Sequence, residues 1–209
     1  MKINNLFPSR EDAQNIFAWA SEQNSGAWTA HCEVAGRTAE IIANKCGLNA
    51  ERAYVSGLLH DIGYYSYRDG TGEKDHIFAG YDLMTKKGYD DIAKICLSHS
   101  FPCKNVKEFA SSYIKCNDTE MDFILTFLSE TTYDDYDKLI QLCDSLCLSQ
   151  GVVILEKRLV EVVMRKGFGD FTLNKWGKWF EIKDYFDNMC GMNIYKLFCN
   201  EINANIYSN

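Results

Sequence analysis

The sequence predicts an all-α fold. Apolar residues recur three and four apart, as in the Val34, Ala35, Thr38 and Ile42 series that follows His31. Only two prolines occur, Pro8 and Pro102, so long helices run without interruption. No period-2 alternation of β-branched residues is long enough for a strand. The 209 residues are 46% hydrophobic and 24% charged, a balance that belongs to globular chains. That length supports one core with at most a small appended lobe.

The elements follow in order. Ser9, with Glu11 and Asp12 behind it, reads as the N-cap and acidic first turn of a helix to about residue 24. Gly26-Ala27 breaks it. A second helix runs from about 28 to 45 and ends near Gly47. A third opens at Asn49, carries Ala53, Tyr54, Val55, Leu58 and Leu59, reaches His60-Asp61 and stops at Gly63. A loop rich in Gly, Asp and Ser/Thr covers 66–75. Two helices follow at about 75–87 and 90–99, split by Gly88, then further helices over 107–115, 120–129, 134–149, 152–166, 174–189 and 192–204. Gly167-Phe168-Gly169 sets off an aromatic C-terminal piece with Trp176, Trp179, Phe180, Tyr185 and Phe186, which reads as core or packing surface. The expected organisation is an N-terminal helix over 1–27, a central domain over 28–149, and C-terminal helices over 150–209 packed on the same domain.

Bulk properties exclude several function classes. The net charge is −7 and no Lys/Arg cluster is present, so no DNA or RNA polymer is expected as partner. The N-terminus lacks the apolar core of a signal peptide and no 18-residue apolar run follows, so no membrane is expected and the compartment reads as cytoplasmic. Nine scattered cysteines, an odd number, read as reduced thiols filling the core as small apolar residues.

The chemistry lies in the histidines. The chain has four, His31, His60, His76 and His99, and Asp61 follows His60 directly. His31 shares the inward face with Val34, Ala35, Thr38 and Ile42, and His99 follows Ile92, Ile95 and Cys96 in the same sense. Asp144 lies between Ile140 and Leu148 on a helix apolar nearly all round. A carboxylate buried there needs a counter-charge, and no Lys or Arg follows Lys138 within that helix. A lone histidine is more often a hydrogen-bonded core residue than a ligand, but the ordered set points to metal. Imidazole and carboxylate together suit borderline divalent ions. With Asp61 as a bridge, His31, His60 and Asp144 can hold one ion, while His76 and His99 hold a second. A water between two cations loses its proton near neutral pH.

The order His31, His60-Asp61, His76, His99, Asp144 resembles that of the HD-domain superfamily of metal-dependent phosphohydrolases. The run Gly57-Leu58-Leu59-His60-Asp61-Ile62-Gly63 is similar to its central signature in the His-Asp-Ile-Gly form. The resemblance covers about residues 28 to 149. It implies an HD-domain-like helical bundle with a binuclear metal site held by those six residues, His60 and Asp61 being the catalytic pair. The implied cofactors are two divalent ions, iron or manganese first, with zinc, cobalt or nickel as alternatives. The implied activity is hydrolysis of a phosphoester or phosphoanhydride of a small molecule by metal-bound hydroxide, and the expected partner is a small phosphorylated substrate such as a nucleotide or dinucleoside polyphosphate. A homodimer is left open. A di-iron oxygenase on the same scaffold and a non-catalytic nucleotide-binding module are the rival readings. Tyr64 stands where many relatives carry a lysine that helps hold phosphate. A Gly-Tyr-Pro motif is missing, and Ser100 follows His99 where one branch has a second histidine, which excludes cyclic di-GMP hydrolysis.

Lesser candidates surround this set. Arg68, Lys74 and Lys104 fall in loops beside the ligands and are candidates for contacting substrate phosphate, although solvated loop charges look the same in sequence. Tyr64 and Tyr65 read as packing residues that could also stack on a base. Asp75 can orient His76 or simply cap its helix. Cys96, His99 and Cys103 resemble a zinc spacing but lack a fourth ligand.

Overall fold

Two helices set the geometry of the rest. In the computed structural model, which describes residues 7–67, 75–108 and 116–206, α2 (Ala27–Lys45) and α3 (Ala50–Leu59) form an antiparallel pair whose backbones nearly touch. A Cβ on Gly57 would lie 2.8 Å from the carbonyl oxygen of Ala35, and one on Gly36 would lie 3.0 Å from that of Tyr54. Only glycine permits so close an approach. Asn49 caps α3 by accepting from the Arg52 N–H.

The remaining elements wrap this pair. α1 (Arg10–Gln23) is capped by Ser9 as expected and packs on α3. A 3-10 turn, Ile62–Ser66, follows α3. α4 (His76–Lys87) is capped by Asp75 and ends at Gly88 in the left-handed conformation. α5 (Asp90–Ser98) packs on α4. α6 (Asp118–Glu130) and α7 (Asp135–Leu146) each open with a capping box, on Asn117 and Asp134. α8 (Leu155–Lys166), α9 (Thr172–Cys190), a 3-10 turn Ile194–Phe198 and α10 (Cys199–Asn205) complete the chain.

Hydrophobic burial explains how the C-terminal helices are held. Trp179, Ile182 and Phe186 of α9 share one core cluster with Ala35, Ala39 and Ile42 of α2 and with Leu139, Leu142 and Leu146 of α7. A second cluster joins α1, α2, α3, α4 and α5 through Phe17, Cys32, Val55, Leu58, Met84 and Ile92. A third ties α6 to α4 and α5 through Ile124, Leu128, Ile77 and Leu97. Burying each such side chain is worth about 1.5–3 kcal/mol before chain entropy is set against it. Among the described residues no helix is long and apolar enough to cross a membrane.

The structure departs from the sequence expectations in four places. A short antiparallel hairpin, β1 (Cys147–Leu148) with β2 (Gly151–Val152), replaces the helix expected to run to 149. Gly151, at φ +136°, lets the chain reverse there. The helix expected over 107–115 is a 3-10 turn, Val106–Glu108, in its described part, and residues 109–115 lie outside the described ones. The helix expected over 192–204 is divided into the 3-10 turn and α10. Finally, Cys46 and Cys190 are joined in a disulfide across helix ends whose Cα atoms lie 4.5 Å apart. This corrects the expectation of reduced thiols for that pair. The other seven cysteines are free, and Cys32, Cys96, Cys143 and Cys147 are buried.

Candidate metal centre

The six residues singled out in the sequence sit on five elements, most of them at helix ends. His31 lies in the first part of α2, and the close α2–α3 contact brings it opposite His60, the residue that ends α3. Asp61 follows between α3 and the 3-10 turn, at φ −102° and ψ 15°. His76 opens α4, His99 ends α5, and Asp144 stands near the end of α7. Gly63 holds the 3-10 turn against α4: a Cβ there would lie 1.8 Å from the His76 carbonyl oxygen. Without that glycine, His76 could not approach Asp61.

All six converge. The His31 Nε2 lies 3.1 Å from Asp144 Oδ1 and 3.3 Å from His60 Nε2, and His60 Nε2 lies 3.8 Å from Asp144 Oδ1. Asp61 divides its carboxylate between two groups. Its Oδ2 is 3.6 Å from His60 Nε2, while its Oδ1 is 3.2 Å from His76 Nε2 and 3.3 Å from His99 Nε2. His31, His60 and Asp61 thus offer one set of donor atoms within reach of a single ion, and Asp61, His76 and His99 a second. Donors about 2.1 Å from one ion stand about 3.0–3.4 Å apart in octahedral or tetrahedral shells. Four of the six spacings fall in that range, and the two from His60 to the carboxylates, 3.6 and 3.8 Å, lie just beyond it.

The imidazoles are held for this orientation from behind. The His60 Nδ1–H donates to the Gly57 carbonyl at 2.7 Å and the His99 Nδ1–H to the Ile95 carbonyl at 3.2 Å. The His76 Nδ1–H donates to Asp75 Oδ1 at 2.8 Å. In each ring this places the proton on Nδ1 and leaves the Nε2 lone pair facing the centre, the tautomer a metal requires. Asp75 therefore does both things the sequence allowed, capping α4 and orienting His76. Tyr64 stacks on the His76 ring, with centroids 4.4 Å apart and planes 9° from parallel. Burial and the nearby Asp61 raise its phenol above the ordinary range, so it is neutral.

The electrostatics are those of a cation site. Burial alone would raise the Asp61 carboxyl, but the imidazoles of His60, His76 and His99 outweigh it and hold it well below the usual carboxylate range. Burial would likewise lower His60, but Asp61, Cys32 and Asp144 together outweigh that effect and raise it. His76 is pushed up to about 9, Asp61 and Asp75 overcoming burial. Protons gather where the carboxylates call for positive charge. A divalent ion satisfies the same demand through unprotonated rings.

A cavity of about 790 Å³ opens onto the centre, with His31, Asp61, His76, His99 and Asp144 in its wall. Asp144 is not enclosed in apolar core, as its helix suggested; its side chain is 27% exposed and faces this cavity. Lys104 requires a correction. Its ammonium donates to the Thr131 carbonyl and lies over the Tyr133 ring, away from the cavity lining, because a loop carbonyl and an aromatic face satisfy it locally. Arg68 and Lys74 lie outside the described residues. Cys96 donates to the Leu59 carbonyl and Cys103 contacts the Asn174 carbonyl, so the zinc spacing does not form a joint site. Sequence reasoning missed the opposite wall of the cavity, where α8 and α9 contribute Arg158, Lys175, Trp176 and Trp179. The one visible hint was the Trp176 and Trp179 pair, read there as packing.

Three comparisons with known proteins bear on this centre. A family model described as HD domain matches residues 29–148. Over 62 residues the chain is 39% identical to Ribonuclease Y of Mesoplasma florum, a stretch that makes up 30% of this chain and 12% of that protein. The chain therefore spans a small part of the length of the curated relative it matches. No solved structure matches the chain.

Proposed function

The chain belongs to the HD domain family, and from that footing we propose that it is a metal-dependent phosphohydrolase acting on a small phosphorylated molecule, a nucleotide or dinucleoside polyphosphate. The observation that carries this reading is the divided carboxylate of Asp61, one oxygen toward His60 and the other toward His76 and His99. Such a residue suits a pair of ions, iron or manganese first, with His31, His60 and Asp144 completing one shell and His76 and His99 the other. When bound, paired divalent ions supply an acidified water and neutralise charge on a phosphoryl group. The chain's own contribution is positional. Gly57, Ile95 and Asp75 fix the rings, and Asp61 fixes the spacing. A cavity of about 790 Å³ suits a small molecule.

The test begins with metal analysis of protein purified without chelators. Phosphate release is then followed across a panel of phosphomonoesters, nucleotides and dinucleoside polyphosphates, with iron, manganese, cobalt and nickel added in turn. We expect two equivalents of metal, turnover of at least one phosphorylated small molecule, and loss of that turnover in Asp61→Ala. A metal-loaded wild type that releases no phosphate from any of them refutes the hydrolase reading. Oxygen uptake by the iron form under those conditions would assign it oxygenase chemistry instead.

A further inference from the structure

His99 stands where an α-helix holds its residues least firmly. The last carbonyls of a helix have no helical donor of their own, and His99 is the residue that ends α5, its N–H closing on the Ile95 carbonyl at 3.0 Å. The carbonyls on either side of it receive donors from distant elements. The Gln141 amide of α7 donates to the Ser98 carbonyl at 3.2 Å, and the Tyr133 hydroxyl to the Phe101 carbonyl at 2.8 Å. The Lys175 ammonium of α9 donates to the Ser100 carbonyl at 3.0 Å and to the Glu108 carbonyl at 3.4 Å. We infer that Lys175 is a positioning residue for the metal centre: it staples both ends of the 100–108 loop and so holds His99 opposite Asp61. This rests on the metal-centre reading given above.

The loop behaves as one piece once its ends are held. The Glu108 carboxylate accepts from the Cys103 N–H at 3.0 Å and from the Asn105 N–H at 2.8 Å, which folds the segment back on itself. Ser100, where the loop begins, directly follows His99. A displaced loop therefore moves the imidazole, whose Nε2 lies 3.3 Å from Asp61 Oδ1.

A cation on α9 suits this task. The carbonyl end of a helix carries partial negative charge, and an ammonium offers three N–H groups from one side chain. The Lys175 charge also lies over the Trp179 ring, 4.8 Å from the centroid, a second favourable contact. The helix that presents it is firmly seated. Trp179, Ile182 and Phe186 are buried with residues of α2 and α7, and Cys190 is joined to Cys46 at the end of α2. Since α2 carries His31, Lys175 relates the α5 end of the centre to the α2 end through a braced element. α9 lies outside the segment that the family model matches, so a part of the chain beyond that segment takes part in holding the centre.

The experiment uses the full chain. Manganese is titrated by calorimetry into the metal-free wild type, Lys175→Met and Lys175→Gln, with His31→Ala and His99→Ala assigning the two binding steps and urea unfolding recorded for each protein. Lys175→Met should bind the ion of His76 and His99 about tenfold more weakly, the low end for losing a group that orients a ligand, while the ion of His31 and His60 is held within about twofold. Lys175→Gln keeps amide N–H groups without the charge. It should show a smaller loss in the same direction, which preserves the test if Lys175→Met does not fold. Long-range proton–nitrogen spectra of the imidazoles in the metal-free proteins give a second reading: the His99 resonances should shift in both variants while those of His31 stay in place. Wild-type affinity for both ions, or equal weakening of both, overturns the proposal, as does an unmoved His99 in the metal-free spectra. A wild type that binds no manganese, with the shift confined to His99 in the variants, would uphold the positioning of His99 and refute the metal-centre reading alone.

Discussion

Asp61 is the residue on which both halves of the centre depend. Because its two oxygens face different imidazole groups, Asp61→Ala is expected to lose both metal equivalents. His31→Ala and His99→Ala should each lose about one, read by metal analysis of the dialysed proteins. Equal losses in all three variants would mean that the two clusters do not bind separately. Asp75 acts through His76. Asp75→Ala should weaken metal binding by about 10–100-fold, with the loss falling on the ion shared by His76 and His99, as is usual for the carboxylate behind a ligating ring. A competition titration with a chromophoric chelator measures it. The convergence of the six residues was legible because helical register and chain order together mark an inward set, even though no single histidine would. Lys104 was misread for the opposite reason. A loop cation looks the same in sequence whether it faces a cavity or, as here, rests on Tyr133.

Between residue and fold stand the helices and the glycines that let them touch. Several helix starts were legible from caps: Ser9, Asn49 and Asp75 each accept backbone N–H groups at a helix start. The Cys147–Val152 pairing was not, since two strands of two residues leave no periodicity to detect. Nor was the role of Gly57 and Gly63, because a close backbone approach is a property of two elements and only one is visible in a local window. Gly57→Ala should therefore push α2 from α3, cost about 1–3 kcal/mol, and weaken metal binding at His31 and His60 more than at His99. Gly177, within α9, has open space around it. Gly177→Ala should instead stabilise by about 0.5–1 kcal/mol. Urea unfolding of both variants checks the two signs, and a stabilised Gly57→Ala would show that the helix pair tolerates a methyl group.

For the whole molecule, the candidate ligands are drawn from α2, α3, α4, α5 and α7, so ions held by them would cross-link most of the bundle. At free metal about a hundredfold above the dissociation constant, binding adds about 2.7 kcal/mol. Removing the metal with a chelator should thus lower the melting temperature by about 5–10 °C for a chain of this size. An unchanged melting curve in a protein shown to release its metal would contradict that coupling. The all-α class was legible from composition and spacing. The way the last third of the chain closes the cavity was not, because the contact of α9 with α2 and α7 joins residues far apart in sequence. The allocation of imidazoles has a practical consequence. Three of the chain's four histidines line one cavity and the fourth, His60, packs its ring against two of them, so any signal selective for that ring, such as paramagnetically shifted nuclear resonances or acylation by diethyl pyrocarbonate, reads the centre against a silent background.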